Sequence, residues 1–174
     1  MITVTTANDS HKRYIPDILS AIYAASQAKG NSIVMRDPDY LAMKMDEGKA
    51  VIALDDNRFV GFCYIECWEG EQYVANSGLI VVPEYRGQGI ATRIKKQILD
   101  VSRTLFPHAK IFGITKSKAV IKINKALGFK EVEYSQLTSD EKFWKGCETC
   151  PYYNILLERK HSCECQALMY TPED

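Results

Sequence analysis

The residues best suited to chemistry lie in one glycine-containing run, Val82 to Ala91, which reads VPEYRGQGIA. An apolar stretch that begins at Ser77 leads into this run, and a helical pattern from Ile90 to Leu99 follows it. A strand, a glycine turn and a helix in this order aim several backbone N–H groups and the positive end of a helix dipole at one place. The run therefore predicts an anion site that suits a pyrophosphate, with a plain tight turn as the alternative interpretation.

A second segment, Ser117 to Phe129, has the form of a partner for the first, because it is a helical pattern that ends in Leu-Gly-Phe. With both segments in view, the chain resembles the GNAT superfamily of acyl-CoA-dependent N-acetyltransferases. The family signature Gln/Arg-x-x-Gly-x-Gly/Ala is matched by Arg86 to Ala91, and the context Val-x-Pro-x-Tyr-Arg-Gly that surrounds it begins at Val81. The resemblance extends over about residues 2–158.

The resemblance implies acetyl-CoA as co-substrate and direct acyl transfer to an amine in a ternary complex. It implies that the fourth and fifth strands separate beside a bulge, which leaves N–H groups near Ile80 and Val81 for the thioester oxygen. It also implies that strand residues line the pantetheine arm, while backbone groups from Gly87 to Thr92 hold the pyrophosphate. The expected cofactor-binding residues are Leu79, Ile80, Val81, Arg86, Gly87, Gln88, Gly89, Ile90, Ala91, Thr92, Ser117 and Asn124.

The second segment departs from the family at the position of a tyrosine that acts as general acid in many members. Here that position holds Asn124, and the asparagine seven residues before it is replaced by Ser117. An amide can donate a hydrogen bond to a thiolate but cannot protonate it. Asn124 is expected to contact the cofactor or to serve packing alone, and Ser117 to cap its helix.

The general base is expected on the strand that contains Phe62, Tyr64 and Glu66, which share one face at a period of two. Glu66 and Tyr64 are the candidate catalytic residues, and Glu66 would act through a water beside Tyr64. The alternative for Glu66 is an exposed carboxylate on a half-exposed strand.

Arg36 stands just before a predicted helix start and is the candidate substrate-binding residue. A guanidinium holds a carboxylate through two parallel hydrogen bonds. The acceptor could therefore be an α-amino acid, and the segment order is similar to that of amino-acid N-acetyltransferases. The alternative is a surface ion pair between Arg36 and Asp37 or Asp39.

Two cysteine pairs flank the last predicted strand, in the order Cys-x2-Cys, twelve residues, Cys-x-Cys. Four thiolates brought together could hold a structural zinc, whereas reduced thiols or a disulfide are the alternatives. The candidate zinc ligands are Cys147, Cys150, Cys163 and Cys165.

Composition excludes some functions. The chain has 22 Lys and Arg against 22 Asp and Glu, so nothing in its net charge favours nucleic acid or an anionic membrane. No apolar stretch reaches the roughly 20 residues of a membrane span. A cytoplasmic enzyme acting on a small-molecule amine is expected, and a homodimer is possible.

The elements that must position these residues follow from periodicity and punctuation. The order β-α-α-β-β-β-α-β-α-β-β predicts an α/β fold, with a mostly antiparallel sheet of six to seven strands and helices on both faces. One acyltransferase domain over residues 1–160 is expected, followed by a cysteine-containing tail, residues 161–174, packed on it. The last long strand is predicted at Tyr152 to Glu158.

Two other classes of function remain open. A CoA-binding sensor or degenerate domain without chemistry is suggested by Asn124, and an interaction module by the cysteine-rich end of the chain.

Overall fold

Seven strands and five α-helices form within the residues that the computed structural model describes, which are 1–28, 35–145 and 165–173. Short 3₁₀ turns cover residues 9–14, 83–85 and 134–136. The predicted alternation of strands and helices is confirmed. In chain order the elements are β1 (Ile2–Thr6), α1 (Ile15–Gln27), α2 (Pro38–Asp46), β2 (Ala50–Asp55), β3 (Arg58–Trp68), β4 (Tyr73–Val81), α3 (Ile90–Leu105), β5 (Lys110–Thr115), α4 (Lys118–Ala126), β6 (Lys130–Val132), α5 (Glu141–Lys145) and β7 (Gln166–Tyr170).

Helix α2 begins where its sequence predicts. The Asp37 carboxylate accepts hydrogen bonds from the backbone N–H groups of Asp39 (2.8 Å) and Tyr40 (3.2 Å), and Pro38 occupies the first turn. Gly48, at a φ of +69°, follows the helix in the left-handed conformation that commonly ends helices. No helix in the described ranges combines the length and apolarity needed to cross a membrane.

The strands form one sheet in the order β1-β2-β3-β4-β5-β7-β6. Every neighbouring pair is antiparallel except β4 and β5, which are parallel and are joined through α3. The predicted mostly antiparallel sheet with helices on both faces is therefore confirmed.

The end of the chain, expected as a tail packed on the domain, contains a strand. Residues Gln166–Tyr170 form β7, which lies inside the sheet and pairs antiparallel with both β5 and β6. The strand predicted at Tyr152 to Glu158 lies outside the described residues. Sequence periodicity cannot show this insertion, since β7 pairs with strands that precede it by more than 30 residues.

Two apolar cores lie on opposite faces of the sheet. The core on one face joins α1 and α2 to alternate residues of β3, among them Phe62 and Tyr64. The core on the other face joins α3 to Cys63 and Ile65. The predicted alternation along β3 is confirmed, so the candidate base strand presents Tyr64 on the α1/α2 side.

Candidate active site

A cleft opens between β4 and β5. The two strands pair only over Tyr73–Ala75 and Lys110–Phe112, and no pairing joins them beyond those residues. The second half of β4 is thus bonded to β3 on one side and borders a gap on the other. This is the strand separation that the family resemblance implies.

A β-bulge lies in β4 at the mouth of this cleft. Tyr64 of β3 pairs with Ser77, whereas Phe62 pairs with Ile80, so β4 carries one extra residue over this interval. Gly78 has a φ of +66°, which favours glycine. A Cβ at this position would lie 2.5 Å from Cε1 of Tyr64. Gly78 is therefore required both by its conformation and by the aromatic ring packed against it.

The turn that leads into α3 is an open cradle of backbone. Gly87 and Gly89 adopt φ values of +78° and +77°, and a Cβ at either position would meet nothing within 4 Å. Gly89 is the N-cap of α3, so no side chain covers the first N–H groups of the helix. Gln88 and Thr92 are exposed beside them. An anion can approach this backbone directly.

The side chains around the cradle have separate tasks. Arg86 Nε donates to the Val81 carbonyl oxygen at 3.0 Å, which fastens the turn to the end of β4. Ile90 is 2% exposed and belongs to the α3 core, so only its backbone can contact a ligand. Ile80 packs in the opposite core, whereas Leu79 and Val81 lie on the α3 side and Ala91 is half-buried against it.

On α4, the predicted helix cap and the predicted cofactor residue differ in their environment. The Ser117 hydroxyl accepts from the Val120 N–H at 3.4 Å and caps the helix, as expected. Asn124 is 1% exposed, and its Oδ1 has no hydrogen-bond partner within the described part of the chain. A buried acceptor without a partner requires an explanation, and a donor group on a ligand would provide one.

Arg36 and Tyr64 come together on the α1/α2 side of the sheet. Arg36 Nε donates a short hydrogen bond to the Tyr64 hydroxyl, and the guanidinium carbon lies 5.7 Å from the centre of the Tyr64 ring. The Asp37 carboxylate, which the sequence offers as an alternative partner for Arg36, caps α2. The predicted substrate-binding and catalytic residues therefore share one site.

Glu66 lies beside this pair and is held at both oxygens. The Tyr40 hydroxyl donates to Oε1 at 2.7 Å, and the Ser77 hydroxyl approaches Oε2 at 3.5 Å. The rings of Tyr40 and Tyr64 meet edge to face with centroids 5.8 Å apart. Glu66 is half-buried at the end of β3, where neighbouring residues are half-buried as well.

The phenols of the site remain protonated near neutral pH. Burial, followed by the nearby Glu66 carboxylate, raises the pKa of both Tyr40 and Tyr64. Burial also lowers the pKa of Lys44, while Glu66 opposes that change. The two hydroxyl groups therefore keep the protons that they can donate in hydrogen bonds, as Tyr40 does to Glu66.

The sequence gives no direct signal for two residues of this site. Tyr40 and Lys44 lie four residues apart on one face of α2, and the Lys44 ammonium is 5.0 Å from the centre of the Tyr40 ring. Finding them requires knowing that this face of α2 packs over β3. The predicted cap at Asp37 fixes where α2 begins but not which strand it covers.

The cysteine hypothesis falls mostly outside the described residues, because Cys147, Cys150 and Cys163 are not among them. Cys165 is half-buried immediately before β7. Within residues 1–28, 35–145 and 165–173, no group of three or more His, Cys, Asp or Glu side chains could hold a metal.

Comparison with known sequences is consistent with this geometry. A profile of the acetyltransferase (GNAT) family matches residues 16–129, which contain the bulge, the cradle and α4. No curated protein matches the sequence.

Solved structures share the fold at low identity. An N-acetylglutamate synthase from Neisseria gonorrhoeae, complexed with coenzyme A and N-acetyl-glutamate, matches with a TM-score of 0.70 and 14% identity over 100% of this chain. The match spans 36% of that longer protein. YncA from Salmonella typhimurium, with its cofactor acetyl-CoA, has a TM-score of 0.68 at 13% identity, covering 100% of this chain and 95% of that one. A GNAT acetyltransferase from Staphylococcus aureus Mu50 has a TM-score of 0.68 at 15% identity, with 99% and 100% covered.

Proposed function

We propose that this chain, which belongs to the acetyltransferase (GNAT) family, transfers an acetyl group from acetyl-CoA to the primary amine of a small molecule. The observation that carries this proposal is the position of Glu66. Its carboxylate accepts from Tyr40, and the hydroxyl of Ser77, the residue just before Gly78 of the bulge, approaches it at 3.5 Å.

The donor would bind through the cradle and the free edge of β4. Backbone N–H groups from Gly87 to Thr92 are suited to the pyrophosphate, and the unpaired half of β4 to the pantetheine arm. Asn124 offers a buried acceptor for an N–H group of the same arm. These contacts come from backbone and one amide, and they recognise the CoA part of the donor rather than its acyl group. They therefore do not determine the length of the acyl chain.

Acyl transfer requires the acceptor to lose its ammonium proton before its nitrogen attacks the thioester carbon. Glu66 is the acceptor of that proton, directly or through a water, because Tyr40 and Tyr64 remain phenols. N–H groups at the bulge are suited to the oxygen that gains charge during attack. The Tyr64 hydroxyl, which is buried and accepts from Arg36, would orient that guanidinium toward the acceptor.

The acceptor class that we propose is an α-amino acid. Arg36 places a cation on one side of the two tyrosines, and Glu66 places an anion on the other. A carboxylate and an ammonium on one small molecule would match this pair of charges. The Neisseria structure named above holds coenzyme A with N-acetyl-glutamate, a product of this class, although that protein is only 14% identical.

Release of the CoA thiol tests the proposal. Purified protein is incubated with acetyl-CoA and each of a panel of amino acids, polyamines and aminoglycosides, and free thiol is measured over time. We expect turnover with at least one amino acid and none without an acceptor. Turnover confined to polyamines would overturn the amino-acid assignment while leaving acyl transfer intact.

A CoA-binding sensor without chemistry is the second candidate, and the asparagine at position 124 is the observation that favours it. Calorimetric binding of CoA distinguishes the two functions. Binding together with no thiol release across the whole panel would favour the sensor. Absence of CoA binding would reject both functions.

A further inference from the structure

Lys95 is a buried cation that the site described above does not use. It lies in α3 and is 3% exposed, whereas the next residue, Lys96, is exposed. Within the described residues, Lys95 forms no salt bridge and no hydrogen bond through its ammonium group. A buried lysine side chain without an anionic partner is unfavourable, and a ligand that develops negative charge beside it would compensate this cost.

The register between α3 and β4 places Lys95 at the bulge. Asn76 Nδ2 of β4 donates to the Ser102 hydroxyl of α3 at 3.0 Å, just past the last pair between β4 and β5. Helix α3 runs opposite to β4, because it connects two parallel strands. Lys95 precedes Ser102 by seven residues, which is about 10.5 Å of helix or roughly three strand residues. That distance along β4 leads from Asn76 to Leu79, beside Gly78.

The two neighbours of Lys95 agree with this placement. Its ammonium lies 5.4 Å from the centre of the Phe129 ring, which follows the end of α4. On the other side lies Cys63, the β3 residue opposite the bulge, whose thiol donates to the Ser77 carbonyl oxygen at 3.3 Å. The ammonium therefore lies between the bulge and the end of α4, on the α3 side of the open cleft.

The chemistry of the cleft calls for a proton donor at this place. Acyl transfer expels a thiolate, and Asn124 on α4 cannot protonate it. Burial lowers the pKa of Lys95, and the neighbouring Cys63 partly opposes this. Phe129, the other neighbour of the Lys95 ammonium, carries no charge. A lysine that loses its proton more readily than usual has a pKa closer to that of a thiol, which favours proton transfer from the lysine to the departing sulfur.

We propose that Lys95 faces the sulfur of the CoA leaving group and donates its proton to it. This inference rests on the proposed function. As the N–C bond forms, the C–S bond breaks and sulfur takes its electron pair together with the Lys95 proton. The amine loses two protons, of which one reaches solvent and the other balances the reprotonation of Lys95.

The test uses Lys95→Met, which keeps the length and apolar volume of the side chain but removes the charge. The matched control is Lys96→Met, which removes the same charge from the exposed face of the same helix. We expect Lys95→Met to lower kcat by about 100-fold, a size typical for loss of one donor to a developing anion, with the KM for the acceptor unchanged. Lys96→Met should retain the kcat of the native protein.

A second measurement does not depend on turnover. The ultraviolet absorbance of the CoA thiolate is titrated in the complex, with the complex of desulfo-CoA as the blank for protein thiols. If Lys95 and the bound thiol share a proton, the pair should lose its first proton at least about one pH unit below the ionisation of free CoA, and this step should produce part of the thiolate absorbance. In Lys95→Met this difference should disappear.

The outcomes separate the two proposals. If the native protein transfers acetyl groups but its bound thiol titrates like free CoA, the inference on Lys95 is overturned while the proposed function stands. A Lys95→Met variant with native kcat overturns it as well. Failure of the native protein to bind CoA overturns the proposed function itself.

Discussion

The two sides of the cleft are built from different materials. On the side proposed to bind the donor, Gly89 caps α3 with bare backbone, and a methyl group at Gly87 or Gly89 would meet nothing within 4 Å. On the acceptor side, Arg36, Tyr64 and Glu66 are held by side chains from three elements, and a methyl group at Gly78 would strike the Tyr64 ring.

Because of this difference, we expect the two sides to tolerate side-chain substitutions to different degrees. A backbone cradle recognises a phosphate through groups that every residue has, so changes of side chain alter it little. A site of interlocked side chains depends on each partner, because a displaced hydroxyl or carboxylate leaves another buried group without its hydrogen bond. Substitutions should therefore affect the acceptor side more than the donor side, and the following experiments test that expectation.

The largest effect is expected from Glu66→Gln. Loss of the proton acceptor should lower kcat/KM by about 100- to 10,000-fold, while calorimetry should show unchanged affinity for CoA. Glu69→Gln is the matched control, because its carboxylate is also hydrogen-bonded, to Thr138 and Ser139, but lies past the end of β3. A weakened affinity for CoA in Glu66→Gln would show that the two sides are not separate.

Gly78→Ala and Gly89→Ala compare the two sides directly, since both glycines have a positive φ. Each alanine should cost about 1–2 kcal/mol of unfolding free energy through the left-handed conformation. Gly78→Ala should cost about 1–3 kcal/mol more, because its Cβ would lie 2.5 Å from the Tyr64 ring. Denaturant unfolding measures both, and equal losses would contradict the packing that we describe.

Arg36→Ala should raise the KM for an amino-acid acceptor by about 10- to 100-fold, the size expected for a lost charged hydrogen bond. The KM for acetyl-CoA should not change. An acceptor amine without a carboxylate provides the internal control, because its KM should be nearly the same in both proteins. Unchanged KM values for all acceptors would exclude Arg36 as the carboxylate ligand.

The smallest effect is expected from Tyr40→Phe, which removes one hydrogen bond to Glu66. We expect kcat/KM to fall roughly three- to tenfold, in line with about 1 kcal/mol for one such bond. Because burial and Glu66 raise the pKa of Tyr40, its hydroxyl donates throughout the neutral and mildly basic range, and the loss should be constant there. Tyr14→Phe is the control, since its buried hydroxyl bonds the Asn57 carbonyl oxygen far from the cleft. A loss that vanished above neutral pH would contradict this role.

The donor side was also the easier one to predict from sequence. The turn at Gly87 and Gly89 and the helix after it are adjacent in the chain, so local pattern suffices to place them. The glycines could be interpreted before any tertiary contact was known. The contact of Tyr40 with Glu66, by contrast, joins residues 26 positions apart, and only the packing of α2 over β3 creates it.

Strand β7 shows the same limit in the fold itself. Its five residues, QALMY, carry no alternation strong enough to separate a strand from an apolar tail. What makes them a strand is the open edge between β5 and β6, which pairs with them on both sides. Such pairing depends on partners distant in sequence, and local propensity does not report it.

The bulge at Gly78 adds one residue to β4 and so changes which alternate side chains face each side of the sheet. Before it, even-numbered residues such as Val74 and Asn76 point toward α3; after it, odd-numbered residues such as Val81 do so, and Ile80 points to the other core. Deleting Gly78 would continue the earlier alternation along β4 and turn the side chains of Ile80 and Val81 to the opposite faces of the sheet. The length of β4 is therefore more tightly constrained than its composition, because removing one residue would exchange the side chains that face α3 with those that face α1 and α2.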